Sequence, residues 1–269
     1  MKRTAISFFV SLLLLTSTFA QAQWKVEKDL SYSHKSDSYS KERLKLDITY
    51  PTDTASLPVV VWFHGGGLTG GNKFIPAELE ESNLVVVAPN YRLVPNVGVD
   101  SCIDDAAEAV AWVFENAAKY GGDPSKIFVT GHSAGGFLTS MIGLDKTRLA
   151  HYGIDADSIA GLIPYSGQVI THFSDRKSKG IGELTPFVDK NAPLFHVRKD
   201  APPYIIITGD AETELFGRYE ENLYMWRMMK LAGHPDVDIY KIDGYNHGEM
   251  AVPAHHILKN EIKRILNNQ

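Results

Sequence analysis

One cysteine in 269 residues leaves no intramolecular disulfide to hold this chain together. Its stability has to come from burial, which a chain of this length can supply. A cationic excess is missing as well. The chain carries 27 Lys and Arg against 32 Asp and Glu, a formal charge of −5, whereas nucleic-acid binders show a basic footprint. No nucleic-acid partner is expected. No apolar run approaches the roughly 20 residues of a lasting transmembrane helix. Neither H-E-x-x-H nor a Cys/His zinc spacing occurs, so no metal and no other cofactor is implied. Internal repeats and low-complexity linkers are absent too.

What is present is an ordinary globular composition, 44% hydrophobic and 22% charged, ahead of which stands a segment of another kind. Lys2 and Arg3 form a basic head, Ile6 to Leu15 is mostly apolar, and Ala20-Gln21-Ala22 supplies a small-x-small cleavage site. Residues 1–22 therefore read as a secretory signal peptide, and residues 23–269 as one exported domain with no stable membrane anchor. Removing the leader takes away two cations and no acid, so the charge moves from −5 to −7. Cys102 is expected to be a small buried residue rather than a nucleophile.

Strand-like and helix-like segments alternate, the pattern of a largely parallel sheet flanked by helices. Leu44, Leu46 and Ile48 alternate with polar residues as an exposed edge strand would. Buried strands are expected at Leu57–Phe63, Leu84–Ala88, Ile127–Thr130, Ile159–Ile163, Tyr204–Thr208 and Val237–Ile242. Helical patterns cover Ala106–Tyr120, Ala134–Leu144, Arg218–Leu231 and the stretch from Pro253 to about Leu266. Gly167–Pro203 has no strong pattern and reads as a polar, basic loop, the length expected of a small lid or binding insertion.

Two constellations carry chemistry. Gly131-His132-Ser133-Ala134-Gly135 fits G-x-S-x-G, a pattern that chance alone would place in about one chain in ten of this length. Its position between an expected strand and an expected helix is what makes it informative. That is the setting in which a strained elbow lifts a serine hydroxyl above a sheet. His64-Gly65-Gly66-Gly67 follows another strand, and its glycines can turn backbone N–H groups toward a developing oxyanion. Gly66 and Gly67, with Ala134 after the serine, are the expected donors. A serine needs a base, and the base needs an acid to orient it. Among the ten histidines, His247 follows a late strand and suits the chain order Ser, acid, His. His132, His234, His255 and His256 read as structural or solvated. The loop after Thr208 offers Asp210, Glu212 and Glu214. Glu212 is the favoured acid because it lies far enough along the loop to turn back toward His247. Asp210 is the alternative, although an Asp there also suits a turn.

With His64-Gly65-Gly66-Gly67, Gly71-Asn72-Lys73, Asn90-Tyr91-Arg92-Leu93, Gly121-Gly122-Asp123-Pro124 and Gly131 to Gly136 in place, the chain resembles the α/β-hydrolase esterases of the hormone-sensitive-lipase-like group. The Gly-x-Lys after the HGGG is more like the bacterial feruloyl-esterase-like and kynurenine-formamidase-like branch. The resemblance covers roughly residues 44–266. It implies the α/β-hydrolase fold and cofactor-free carboxylester hydrolysis through Ser133, His247 and the Gly66, Gly67 and Ala134 donors. It implies Glu212 as the acid, with Glu where Asp is commoner. Leu68 stands where relatives often carry an aromatic residue, which implies an acyl pocket of different shape. The expected substrate is a small-molecule or oligosaccharide ester with a short acyl or small aromatic acyl group. The alternative is a formamide or amide, as for the arylformamidases.

Overall fold

The computed structural model describes residues 23–215 and 217–268. The leader read in residues 1–22 lies outside them. In chain order the elements are β1 (Trp24–Ser31), α1 (Ser38–Arg43), β2 (Lys45–Pro51), β3 (Leu57–Phe63), β4 (Val85–Pro89), α2 (Val99–Asn116), β5 (Gly122–His132), α3 (Ala134–Leu144), α4 (Lys146–Ala150), β6 (Gly161–Tyr165), α5 (Phe173–Ser178), β7 (Tyr204–Thr208), α6 (Arg218–Leu231), β8 (Val237–Lys241) and α7 (Ala251–Asn267). Eight strands form one sheet in the order β1-β2-β4-β3-β5-β6-β7-β8. The β1–β2 and β2–β4 pairs are antiparallel and the rest are parallel.

The run of apolar residues in β3 explains why that strand lies in the middle. Val59, Val61 and Phe63 point to one face, where they pack with α2 and α3. Val60 and Trp62 point to the other and meet α7 through Leu258 and Ile262. A strand buried on both faces needs no polar alternation. No helix among the described residues is long and apolar enough to cross a membrane.

Four expectations change. The Leu44–Ile48 strand is not an edge, because β1 covers it through pairs such as Val26–Thr49 and Leu30–Leu46. β1 itself is mostly exposed and rich in charge, and Lys28 and a register shift between Glu27 and Leu30 break its short alternation of Trp24, Val26 and Leu30. α2 starts at Val99 rather than Ala106. Its first turns carry Asp100, Asp104 and Asp105, and Asp105 is buried against Arg92 with two contacts of 2.7 Å. α7 starts at Ala251, before Pro253, because a proline in the first turn forfeits no helical hydrogen bond. Finally, 167–203 is more than a patternless polar loop, although 177–190 is largely exposed. Val169, Thr171, His172, Ser174, Asp175, Arg176, Asn191 and Ala192 are buried, and the segment contains α5.

Candidate active site

The sheet delivers Ser133 at the junction of β5 and α3, with φ of 57°, a left-handed conformation that a non-glycine residue adopts only when its surroundings enforce it. Close packing enforces it here. A Cβ on Gly135 would lie 2.0 Å from the Phe63 carbonyl oxygen, and one on Gly131 would lie 2.6 Å from the same atom. The two glycines of the motif are therefore there for want of space. The Ser133 N–H donates to the Tyr165 carbonyl at 2.8 Å, tying the elbow to β6.

The His64–Gly67 loop lies directly against this elbow, since a Cβ on Gly65 would come 3.4 Å from the Cβ of Ser133. Gly66 has φ of 107°, and its carbonyl accepts from the Thr69 and Gly70 N–H groups at 3.0 Å each. Among the described residues no protein group accepts from the N–H of Gly66, Gly67 or Ala134. The structure thus brings all three expected donors to the neighbourhood of the serine with their N–H groups free. His64 stacks on Tyr91 with ring centres 4.5 Å apart, and burial pushes its imidazole down to about 4. It is a neutral part of the loop's support.

His247 lies in the turn after β8. Its Nε2 is 2.8 Å from Ser133 Oγ, so the hydroxyl can donate to the imidazole. Its Nδ1–H donates to Glu214 Oε1, and this corrects the expected acid. Glu212 is exposed, and its backbone N–H donates to Asp210 Oδ1 at 3.0 Å. Asp210 is not the partner either. Its Oδ2 accepts the Gly244 N–H at 2.7 Å, and its own N–H donates to the Tyr245 carbonyl at 2.8 Å, so it staples the loops after β7 and β8 together. That turn reaches the imidazole only at its fifth residue past Gly209, which backbone spacing does not reveal.

Glu214 is built into place from several directions. Its side chain is fully covered. Oε2 accepts from Ser166 Oγ at 2.6 Å and from the Gly209 N–H at 3.2 Å, while Oε1 also accepts from the Leu215 N–H at 2.9 Å. Burial alone would raise the carboxyl, but the His247 contact and these donors outweigh it and hold the group down at about 2. Ser166 has φ of 44°, and its carbonyl accepts from Arg218 Nη1 at 2.6 Å. Neither Ser166 nor Arg218 carries a motif, and only the fold places them here.

His132 is nearer the chemistry than expected. Its ring lies 4.8 Å from that of His247, and its Nε2–H donates to the His247 carbonyl at 2.6 Å. Burial, and then the neighbouring His247, hold it down at about 4, so it is a neutral donor that fixes the His247 turn. His234 and His255 are buried elsewhere, His234 against the Ala201 carbonyl and His255 against Trp62 and Tyr165.

A cavity of about 590 Å³ has Phe173, Ile170, Leu184 and Leu215 among its walls, the last of these following Glu214 in the chain. Phe173 reaches it from 167–203, and its ring would meet a Cβ on Gly67 at 2.8 Å. The Ser174 hydroxyl donates to the Gly67 carbonyl at 2.7 Å, so the same short helix braces the loop of free N–H groups. Leu68, expected to shape the pocket, is fully buried in the core instead, and Phe173 does that work. Among the described residues no cluster of metal-ligating side chains occurs.

An elbow serine, a half-buried imidazole on a buried carboxylate and a loop of free N–H groups on this sheet have the arrangement of the α/β-hydrolase class of folds. The comparisons with known proteins agree with that class. The BD-FAE family model matches residues 46–163. The carboxylesterase NlhH of Mycobacterium tuberculosis is 41% identical over 97 residues, covering 34% of this chain and 30% of the relative. The probable carboxylic ester hydrolase LipM of the same species is 30% identical over 207 residues, 66% of this chain and 48% of the relative. The chain thus spans less than half the length of these curated relatives. Among solved structures, a truncated carbohydrate esterase from gut microbiota superposes with a TM-score of 0.76 at 19% identity, covering 91% of this chain and 97% of that one. The propionate-bound esterase Est2 of Thermogutta terrifontis gives 0.65 at 25% identity, covering 90% and 93%. The chain is an α/β-hydrolase-fold relative of these esterases.

Proposed function

We propose that this protein is a serine carboxylic ester hydrolase that works through an acyl-enzyme. The observation that carries this reading is the single line of contacts from Ser133 Oγ through His247 to Glu214. His247 accepts the Ser133 proton as Oγ attacks the ester carbonyl. The N–H groups of Gly66, Gly67 and Ala134 then hold the oxyanion, each such donor lowering the barrier by about 2.7 to 4 kcal/mol. The imidazolium, steadied by Glu214, gives its proton to the departing alcohol. Water repeats the sequence on the acyl-enzyme and releases the acid.

The substrates that suit the site are esters of short or small aromatic acyl groups, including acyl groups on plant-type carbohydrate. The cavity has room for a small group and an apolar wall for it. The segment beside it is buried and hydrogen-bonded over 167–176 and exposes only scattered apolar side chains such as Leu184 and Val188 beyond that, which differs from the broad apolar lid of an enzyme that settles on lipid. The leader pattern in residues 1–22 supports export to the periplasm or medium, where polymer fragments are met. The test is a panel of nitrophenyl esters from acetyl to palmitoyl, acetylated xylan, feruloyl esters and an N-formyl aryl amide. A maximum at two to four carbons with release of acetate or ferulate from polymer is expected. A maximum at ten carbons or more removes the short-acyl reading, and preference for the formamide makes the protein an amide hydrolase.

A further inference from the structure

Of the eight arginines among the described residues, four face carboxylates, and Arg227 is exposed to solvent. Arg92 meets Asp105, Arg148 meets Asp100, Asp104 and Asp145, Arg198 meets Asp157, and Arg264 meets Asp236 and Glu261. Arg176 and Arg218 do not, although they are among the most deeply buried, at 2% and 4% exposure. Among the described residues no carboxylate oxygen lies within 4.0 Å of either, while Arg176 Nη1 and Nη2 donate only to the Thr185 and Glu183 carbonyls. Arg218 Nη1 donates to the Ser166 carbonyl. The Nε of each is buried with no acceptor at all. Arg43 also lacks a carboxylate, but it spends its guanidinium on Asn72 and the Gly71 and Tyr91 carbonyls.

Arg176 and Arg218 both line the cavity whose walls reach the site through Phe173, packed on Gly67, and through Leu215, next to Glu214. Two other charged side chains line it. Glu183 is exposed, and its backbone carbonyl, not its carboxylate, meets Arg176. Glu221 is engaged by the Val169 N–H at 3.3 Å and the Gln168 amide at 3.4 Å; burial raises its carboxyl while the Arg218 and Arg176 charges pull it down, so it is one buried carboxylate against two buried guanidiniums. The cavity therefore holds more buried positive charge than it neutralises. Burying a charge without a partner costs several kcal/mol, and such sites are where binding chemistry is found. Its other wall, with Phe173, Ile170 and Leu184, is apolar.

Resting on the esterase reading, we infer that this cavity selects esters that carry a carboxylate, the apolar wall taking the body of the group and Arg176 and Arg218 taking the anion. Arginine suits this because its planar fork matches a carboxylate with two parallel hydrogen bonds. The carboxylate can belong to the acyl part, as in a dicarboxylic half-ester, or to the alcohol part, as in an acylated uronate.

The experiment compares matched pairs. For the acyl side, kcat/KM is measured on 4-nitrophenyl glutarate half-ester and 4-nitrophenyl valerate. For the alcohol side, it is measured on O-acetyl galacturonate and O-acetyl galactose. The anionic member of at least one pair should be preferred about tenfold or more, the pair that shows it naming the side. Arg176→Gln should bring that ratio toward one through KM. A thermal shift of Ser133→Ala with monomethyl glutarate against methyl valerate reads binding without turnover. Hydrolysis of the neutral members with no preference in either pair overturns the carboxylate reading and leaves the esterase reading intact. If no ester is hydrolysed and Ser133 is not labelled by a fluorophosphonate, the esterase reading fails, and the thermal shift then decides the cavity's ligand by itself. Should Arg176→Gln not fold, Arg176→Lys replaces it, because a single ammonium keeps the charge and loses the fork.

Discussion

Around Ser133 the site is held by backbone meeting backbone. Gly131 and Gly135 press on the Phe63 carbonyl, Ser133 N–H reaches β6, and the Gly66 turn closes on itself. Around Glu214 it is held by side chains reaching between loops, from Ser166, His247 and the Gly209 and Leu215 amides, with Asp210 stapling the outer turn. The first half tolerates no added atom. The second tolerates a change of shape but not a lost hydrogen bond, because a buried carboxylate depends on each donor that keeps it ionised.

The largest way to sharpen this contrast is Ser133→Ala. It should leave the fold intact and lower ester turnover by about 10⁶, since such residues act as a unit. A tenth of the activity remaining would remove Ser133 as the nucleophile. Glu214→Gln should cost about 10⁴ in kcat by leaving the imidazole in the wrong tautomer. Glu212→Gln should stay near wild type, and if the two came out reversed the acid would be Glu212 after all.

Gly135→Ala tests the packed half. With the Phe63 carbonyl 2.0 Å from the new methyl, it should lower unfolding stability by about 3 kcal/mol in urea titration. Gly217→Ala, with nothing near its Cβ but φ of 65°, should cost only about 1 kcal/mol. Ser166→Ala tests the hydrogen-bonded half, and should reduce kcat about tenfold with KM little changed, because one donor to a charged group is lost.

The two halves should also separate by pH, with the smallest effect per unit. His64 and His132 in the packed half, and His255 in α7, are held down at about 4 by burial. Their unfolded forms bind protons near 6.5, so the unfolded state takes up more protons in between. The stability they support is complete above about pH 6.5 and is lost as pH falls toward about 4, each adding up to about 1.4 kcal/mol per pH unit to the slope. Glu214, at about 2, contributes stability that is complete above its ordinary value of 4.5 and is lost only as pH falls toward 2. Urea titrations from pH 7.5 to 3 should show His64→Gln flattening the upper part and Glu214→Gln the lower. A curve that does not bend until below pH 4 would remove the histidines from it.

Legibility followed the same division. The serine, the HGGG loop and His247 could be read because each lies in a short contiguous pattern next to a strongly apolar strand, where local backbone demands fix the residue type. Glu214 could not, because three carboxylates within one turn differ only in where the loop aims them. β1 escaped notice because charged residues and Lys28 in the apolar row interrupt its alternation, and the early turns of α2 did because buried Asp105 reads as a surface residue until Arg92 is seen beside it.

By itself the sequence determined the central strands, the elbow and the loop of free amides, since β-branched runs and obligatory glycines are local consequences of burial and close backbone approach. Tertiary structure alone decided the acid, the support from Ser166 and Arg218, the placing of His132 on the His247 carbonyl, and the burial of Arg176 in 167–203. Those depend on which side chains meet across loops far apart in the chain, and hydrogen bonds between distant residues leave no period or motif in the order of the amino acids.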